Sequence, residues 1–168
     1  MKHTISVLVE NQFGVLARIS GLFSGRGFNI DSLSVGETED PTTSRITLVV
    51  NGDDTILEQV MKQLNKLVDV IKVSDLTKEE FIDRELALIK VKSDGKTRAE
   101  IIQIADIFRA KIVDVAPQSL TIEVTGTEGK VQGMMDLVRE FGIKEVVRSG
   151  KIAITRDTKG LPRGSRKT

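Results

Sequence analysis

The sequence lacks cysteine, tryptophan and tyrosine entirely, and it has a single histidine in 168 residues. Without cysteine there can be no disulfide, no thiolate metal ligand and no cysteine nucleophile, and one histidine is too few for most histidine-based metal sites or a Ser-His-Asp triad. Six phenylalanines are the whole aromatic content, which is little for stacking nucleic-acid bases. The composition therefore favours a binding protein over a catalyst.

Charge and hydropathy also exclude some partners. Lysine and arginine (25) balance aspartate and glutamate (24), so no overall field draws the chain to nucleic acid or an anionic membrane. The N-terminal segment lacks a secretory signal pattern, and no apolar run approaches the roughly 20 residues that span a bilayer. We expect a cytoplasmic protein without nucleic-acid or membrane partners.

The near-neutral total conceals an uneven distribution of charge. Residues 156–168 hold five cations and one anion, whereas residues 1–155 hold 20 cations and 23 anions, or −3. The end of the chain also has only one large apolar residue, Leu161. We expect residues 158–168 to form a basic, flexible tail.

The first 76 residues show the order β-α-β-β-α-β. Ile5, Val7 and Val9 alternate as in a strand, and from Val15 onward the apolar residues recur at helical spacing. Two strands and a second helix, beginning near Asp53 and Asp54, follow before a fourth strand. This is the split βαβ pattern of ferredoxin-like domains.

The second half repeats the same order of elements. We predict strands at 85–92, 112–116, 120–124 and 143–154, with helices at 98–110 and 130–141, and with Gly150 marking a bulge in the last strand. The fold class is therefore α+β, with two tandem ferredoxin-like βαββαβ units. The predicted divisions are a first unit at 1–77, a linker at 78–83, a second unit at 84–157 and the tail.

The segment between the first strand and the first helix offers the clearest chemistry. A helix start exposes unpaired N–H groups and a partial positive charge, which suit a small carboxylate. Gly14 leaves room for such a group, and Asn11 carries both a donor and an acceptor. The loop could hold both ends of an amino-acid zwitterion, although a plain turn and helix cap without a ligand would have the same pattern.

A longer set of residues carries a family resemblance. It comprises Glu10-Asn11-x-x-Gly14-Val15-Leu16-x-Arg18-x-x-Gly21-Leu22-Phe23-x-x-Arg26-Gly27-Phe28-Asn29-Ile30-x-Ser32-Leu33-x-Val35, with Thr38-Glu39 and Ser44-Arg45-x-Thr47 beyond it. These residues resemble the small regulatory subunits of acetolactate synthase (acetohydroxyacid synthase). The first unit of that family is an ACT amino-acid-sensing domain, and the resemblance extends over about residues 2–155.

The resemblance implies a non-catalytic subunit that activates a thiamine-diphosphate enzyme and makes it sensitive to feedback by valine. Thiamine diphosphate, Mg and FAD are then expected on the catalytic large subunit and no cofactor on this chain. The family forms a homodimer through its ACT domains, with the effector at their interface. By position, the effector-binding residues are Asn11, Gly14, Val15 and Leu16 from one chain and Asn29 and Ile30 from its partner.

Effector choice depends on the size of the pocket. Val9, Leu16, Ile30 and Val35 are candidates to enclose a branched side chain. Discrimination among valine, leucine and isoleucine rests on single methylenes, worth about 1 to 3 kcal/mol, and leucine or isoleucine should bind more weakly.

The second half has Ser93 to Arg98 in place of the Asn-x-x-Gly loop, so we expect no second effector site. The charged segment 36–45 is a candidate contact for the enzyme, or simply a solvated hairpin loop.

Other functions remain open on the residues alone. An RNA-binding ferredoxin-like domain would need aromatic residues on its central strands, which 6–9 and 46–49 lack. An acylphosphatase-like enzyme would need a positioned Arg and Asn, but Arg18 is more simply a solvated charge and His3 a surface or edge residue. A free-standing ACT-type sensor of another enzyme or of a transcription factor is the alternative to a subunit.

Overall fold

The computed structural model describes residues 1–157, and the predicted tail at 158–168 lies outside the described residues. The first unit consists of β1 (Lys2–Glu10), α1 (Val15–Gly25), β2 (Asn29–Glu37), β3 (Thr43–Asn51), α2 (Asp54–Asn65) and β4 (Val70–Asp75). The second consists of β5 (Phe81–Lys92), α3 (Arg98–Ile107), β6 (Lys111–Ala116), β7 (Ser119–Gly126), α4 (Glu128–Val138), β8 (Ile143–Arg148) and β9 (Ile152–Thr155).

Each unit is built on an antiparallel sheet. The strand order is β2-β3-β1-β4 in the first and β6-β7-β5-β8 in the second, and β9 pairs with the start of β5. Both orders follow from the same β-α-β-β-α-β sequence of elements. The predicted fold class of two tandem ferredoxin-like units is confirmed. None of the helices in residues 1–157 is long and apolar enough to cross a membrane.

The first core lies between its sheet and its two helices. Alternate residues of β1 and β3 point to the helices, so Ile5, Val7 and Leu48 are fully buried. From the helices, Ile19 and Leu64 reach the same cluster and are equally buried. Burial of one such side chain contributes about 1.5 to 3 kcal/mol, and this core therefore fixes which face of the sheet the helices occupy.

The second core repeats this arrangement. Ile89 of β5 and Ile122 of β7 are fully buried beneath α3 and α4, which contribute Ile101 and Met134. The two clusters are separate, so each unit buries its own apolar face.

Strand β5 begins earlier than the sequence suggests. It starts at Phe81, within the segment predicted as a linker at 78–83, and residues 81–84 pair with β9. Pairing with β9 orders Phe81–Arg84, which are too few and too mixed to show a strand pattern of their own. The predicted last strand is divided into β8 and β9, which pair with β5 on either side of Ser149–Lys151. Gly150 adopts a positive φ of 81° there, as the predicted bulge requires.

The face of the first sheet opposite its helices is polar but covered. Thr4, Ser6 and Thr47 are all nearly buried, and the Arg45 guanidinium donates to the Ser6 hydroxyl at 2.8 Å. Ala153 of β9 is buried against this face. Both faces of the first sheet are therefore occupied within one chain.

His3 differs from the expectation of a surface or edge residue. Its side chain is 2% exposed, and its Nε2 lies 3.0 Å from the Asp54 carboxylate. His3 lies on the same side of β1 as Ile5, because side chains alternate along a strand. This places His3 under the start of α2. The prediction for His3 was wrong because a polar side chain in an alternating strand follows the register of its apolar neighbours.

Two glycines in equivalent positions, at the ends of β3 and β7, differ in the side chain that packs against them. A Cβ on Gly52 would lie 2.0 Å from a ring carbon of Phe28, whereas a Cβ on Gly126 would meet the flexible Lys130 side chain at 2.4 Å. Phe28 is itself held edge-on against Phe23, with ring centroids 6.2 Å apart. The aromatic ring therefore has no room to yield, and the lysine does.

We expect Gly52→Ala to lower the free energy of unfolding by about 1 to 3 kcal/mol, the usual cost of overpacking a core. Gly126→Ala is the matched control and should cost clearly less, because Lys130 can move into solvent. Urea denaturation of both variants measures the difference. Equal losses of unfolding free energy would show that both glycines are needed for their backbone conformation, and that overlap with the Phe28 ring does not set the cost.

Candidate functional site

The loop after β1 is tied to the β2–β3 hairpin through Asn11. The Asn11 side-chain amide donates to the Glu37 carboxylate and to the Pro41 carbonyl, both at 3.2 Å. The Asn11 backbone N–H donates to the Thr42 carbonyl at 2.8 Å. The Asn11 side-chain nitrogen is therefore committed to the fold, and its side-chain oxygen is the atom that could accept a hydrogen bond from another molecule.

Gly14 is the N-cap of α1 and has a left-handed conformation, with φ of 80°. No side chain in the described residues caps this helix end, and its first turn has no acidic residue. The amides of Val15 and Leu16 follow directly, with Val15 buried and Leu16 partly exposed. The start of α1 is thus an uncapped, positively polarised helix end.

A cation lies close to this helix end. The Arg18 guanidinium is 4.0 Å from the place a Cβ on Gly14 would occupy, and it forms a 2.7 Å ion pair with Asp69. The sequence-based interpretation of Arg18 as a plain solvated charge missed this pairing. No sequence signal could have revealed it, because Asp69 lies 51 positions further along the chain.

The equivalent turn in the second unit is closed from within. Asp94 accepts hydrogen bonds from the backbone amides of Lys96 and Thr97, at 2.8 and 3.0 Å. These bonds hold the pKa of Asp94 below its usual range. A carboxylate of the chain itself fills the position before α3 that stays open before α1.

Asn29 and Ile30 lie at the opposite end of the first sheet from Asn11. At one end of β2, Asn29 pairs with Asn51, which in turn pairs with Lys2 at the start of β1. At the other end of β2, Glu37 pairs with Ser44. Eight residues at about 3.3 Å each place the two groups roughly 26 Å apart. The structure therefore gathers Asn11, Gly14, Val15 and Leu16 but does not bring Asn29 and Ile30 to them within one chain.

Asn29 and Ile30 instead border a cleft of about 570 Å³ between the units. Second-unit residues complete its walls, among them Glu85, Arg148 and Gly150. The Asn29 side chain donates to Asp31 at 2.8 Å. Sequence reasoning missed the contribution of the second unit, because the residues that meet here are more than 50 positions apart.

An ion pair joins the units along this cleft, because the Lys2 ammonium lies 3.0 Å from Glu128 at the start of α4. Within the second unit, Lys151 lies 3.8 Å from Glu128 and 3.5 Å from Asp83. The hydrogen bond from Lys2 holds the pKa of Glu128 below its usual range, and the same contact raises the pKa of Lys2.

Of the side chains predicted to enclose the effector, Val9 is taken up by the core, where it is almost fully buried. Leu16 and Val35 remain partly exposed, at 40% and 48%, and Ile30 is half-buried. The predicted loop at 36–45 is shorter than expected, because β2 ends at Glu37 and β3 begins at Thr43. Within the remaining turn, Thr42 donates to Asp40 and lowers the pKa of that carboxyl.

Comparisons with known proteins agree over nearly the whole chain. Residues 5–72 match the AHAS small subunit-like ACT domain, and residues 84–157 match the small subunit of acetolactate synthase. A probable acetolactate synthase small subunit of Archaeoglobus fulgidus is 57% identical over 95% of this chain and 99% of its own. The acetolactate synthase small subunit of Mycobacterium bovis is 50% identical, covering 95% of each chain.

A solved structure agrees with the sequence comparisons. The acetolactate synthase small subunit of Thermotoga maritima superimposes with a TM-score of 0.84 at 43% identity, covering 93% of this chain and 98% of that one. Together with the open helix end before α1, these matches define a two-unit regulatory protein whose first unit is an ACT domain. The chain belongs to the family of acetolactate synthase small subunits, as its motifs predicted.

The Lys2–Glu128 contact yields a pH prediction. Because the pKa of Glu128 is lowered in the folded state, its stabilising contribution is present above the unfolded value of about 4.3 and is lost as the pH falls through the folded pKa. We expect Glu128→Gln to destabilise the protein at pH 7 by at most about 1 kcal/mol, as for partly exposed ion pairs.

Once the pH has fallen below the lowered pKa of Glu128 in the folded state, the variant and the parent should unfold alike. Urea denaturation across this range, repeated with Lys2→Gln and with both changes together, isolates the pair. An undiminished difference at acidic pH would mean that Glu128 acts through its size and not its charge.

Proposed function

We propose that this chain is the regulatory subunit of acetolactate synthase in branched-chain amino-acid biosynthesis. It has no catalytic role of its own: it activates the thiamine-diphosphate catalytic subunit and makes that subunit sensitive to feedback inhibition by valine. Thiamine diphosphate, Mg and FAD belong to the catalytic partner in this proposal.

One observation carries the location of the effector site: Asn11 and Asn29 lie at opposite ends of β2, and β2 is an edge strand. When an edge strand pairs with its own copy across a two-fold axis, the two strands run antiparallel. The Asn29 end of one chain then meets the Asn11 end of the other. Homodimerisation along β2 would therefore join the two groups into one site, twice per dimer.

The chemistry of the loop supports an amino acid as the effector. The uncapped start of α1 suits the carboxylate. The Asn11 oxygen can accept a bond from the ammonium group. Leu16, Val35 and the partner's Ile30 present partly exposed apolar surface of the size that a valine side chain covers.

Regulation would follow from linkage. If valine binds one arrangement of the dimer better than another, it shifts the dimer towards that arrangement, and the catalytic subunit responds in proportion. Couplings of this kind are typically about 1 to 3 kcal/mol, or five- to 150-fold in affinity.

The deciding experiment is copurification with the catalytic subunit, followed by titration of acetolactate synthase activity with valine. We expect the chain to copurify, to raise the activity without valine, and to lower it as valine is added. Copurification without any change in activity would contradict the proposal, and failure to copurify would favour a free-standing sensor.

For the effector loop we expect Gly14→Asp to weaken valine binding at least tenfold, because it places a carboxylate where the ligand's own must lie. Calorimetry on the purified chain measures this. Gly95→Asp, in the corresponding turn of the second unit, is the matched control and should leave the affinity within about twofold. Gly14→Ala separates the effect of backbone strain at the positive φ from the effect of the added charge. Unchanged affinity in Gly14→Asp would refute the site.

For the dimer we expect Val35→Glu, a charge on the outer strand of the first sheet, to shift the protein towards monomer and to weaken valine binding in parallel. Val113→Glu places the same charge on the edge strand of the second sheet and should do neither. Sedimentation and calorimetry at matched concentrations measure both effects. A monomer that binds valine as tightly as the parent would refute the interface.

A further inference from the structure

The second unit contacts β2 through the short segment Ser149–Gly150–Lys151, which we term the 149–151 bulge. The Lys151 backbone N–H donates to the Ser32 hydroxyl at 2.9 Å, and the Ser34 hydroxyl donates to the Ser149 carbonyl at 3.0 Å. Gly150 lies between these bonds. A Cβ on it would be 2.8 Å from the Ser34 hydroxyl oxygen and 2.9 Å from that of Ser32.

The 149–151 bulge is firmly held by its own unit. The Ser149 backbone N–H donates to the Leu86 carbonyl at 2.9 Å, and its hydroxyl accepts from the Leu86 N–H at 3.0 Å. Arg148, just before it, is paired with Glu85. A displacement of the bulge would therefore displace β5, the central strand of the second sheet.

The contacts leave the outer edge of β2 open. Ser34 is in register with Thr47, and Leu33 is in register with the core residue Leu48. Alternation then places Ser32 and Ser34 on the face opposite the helices. The bulge lies over that face, so a second copy can still pair along the edge.

These contacts begin two residues beyond Ile30. The β2–β3 register shifts between Ile30 and Ser32, so the start of β2, which carries Asn29 and Ile30, is irregular and lacks an uninterrupted ladder to fix it. The bulge supplies a second support at that point. A change in the position of the 149–151 bulge would therefore change how firmly the start of β2, with Asn29 and Ile30, is held.

We propose that the 149–151 bulge is the coupling element between the effector site and the second unit: its docking on Ser32 and Ser34 holds Asn29 and Ile30 in the arrangement that binds the effector, and effector binding in turn strengthens the docking. The reciprocity is required by linkage. The proposal rests on the function proposed above in naming valine as the effector, but the docking itself does not require a ligand.

The test uses Gly150→Ala in the full chain. The added methyl group overlaps both serine hydroxyls and should displace the bulge. Gly142→Ala is the matched control, because Gly142 also has a positive φ, 98°, while its nearest neighbour would be at an ordinary 3.6 Å. The double change of Ser32 and Ser34 to Ala removes the hydroxyl contacts without adding volume and serves as a second variant.

Two measurements separate this proposal from the proposed function. Hydrogen exchange without valine should be faster at residues 30–36 in Gly150→Ala than in Gly142→Ala, and calorimetry should show valine affinity at least fivefold weaker in Gly150→Ala alone. The double serine variant should change both quantities in the same direction. Valine should also slow exchange at residues 149–151 of the parent.

Equal exchange at residues 30–36 in the two glycine variants would overturn the docking role. Faster exchange with unchanged valine affinity would overturn the coupling. If the parent chain itself does not bind valine, the proposed effector is wrong, and the exchange comparison still decides whether the bulge supports β2.

Discussion

The arrangement of the first unit depends on one feature, which is the place of β2 at the edge of its sheet. Helices cover one face of its sheet, and the second unit covers the other, so its outer edge is the direction still open to a partner in the part of the chain the structure describes. An edge strand exposes backbone donors and acceptors that favour pairing with another strand. The loop at 11–14, the β2–β3 hairpin that holds Asn11 and the 149–151 bulge all lie beside this strand.

The two units share one fold but differ in the turn before their first helix. In the first unit Gly14 is the N-cap of α1 and the first turn has no acidic residue, whereas in the second Asp94 accepts from two amides of the turn before α3. The difference depends on a single carboxylate and on the glycine at position 14. Fold alone does not distinguish the two turns, because the same arrangement of strands and helices surrounds both.

Much of the fold could be predicted because it depends on local patterns. The order of strands and helices follows from periodicity, and Asn11 and Gly14 follow from the chemistry of a helix start. The contacts between distant parts of the chain could not be predicted in this way. Arg18 with Asp69, His3 beneath α2, and Ser34 with Ser149 join residues far apart in sequence, and Phe81 enters a strand only because β9 pairs with it.

The separation of Asn11 from Asn29 along the sheet has a consequence for how the protein would respond to its surroundings. In the dimer proposed above, a site divided between two chains is lost on dilution, so the apparent affinity for the effector falls as the protein becomes scarce. Effector and subunit concentration then act together, because a rise in either favours an occupied site. Such a sensor would respond to an amino acid only when the cell has made enough regulatory protein to form the dimer.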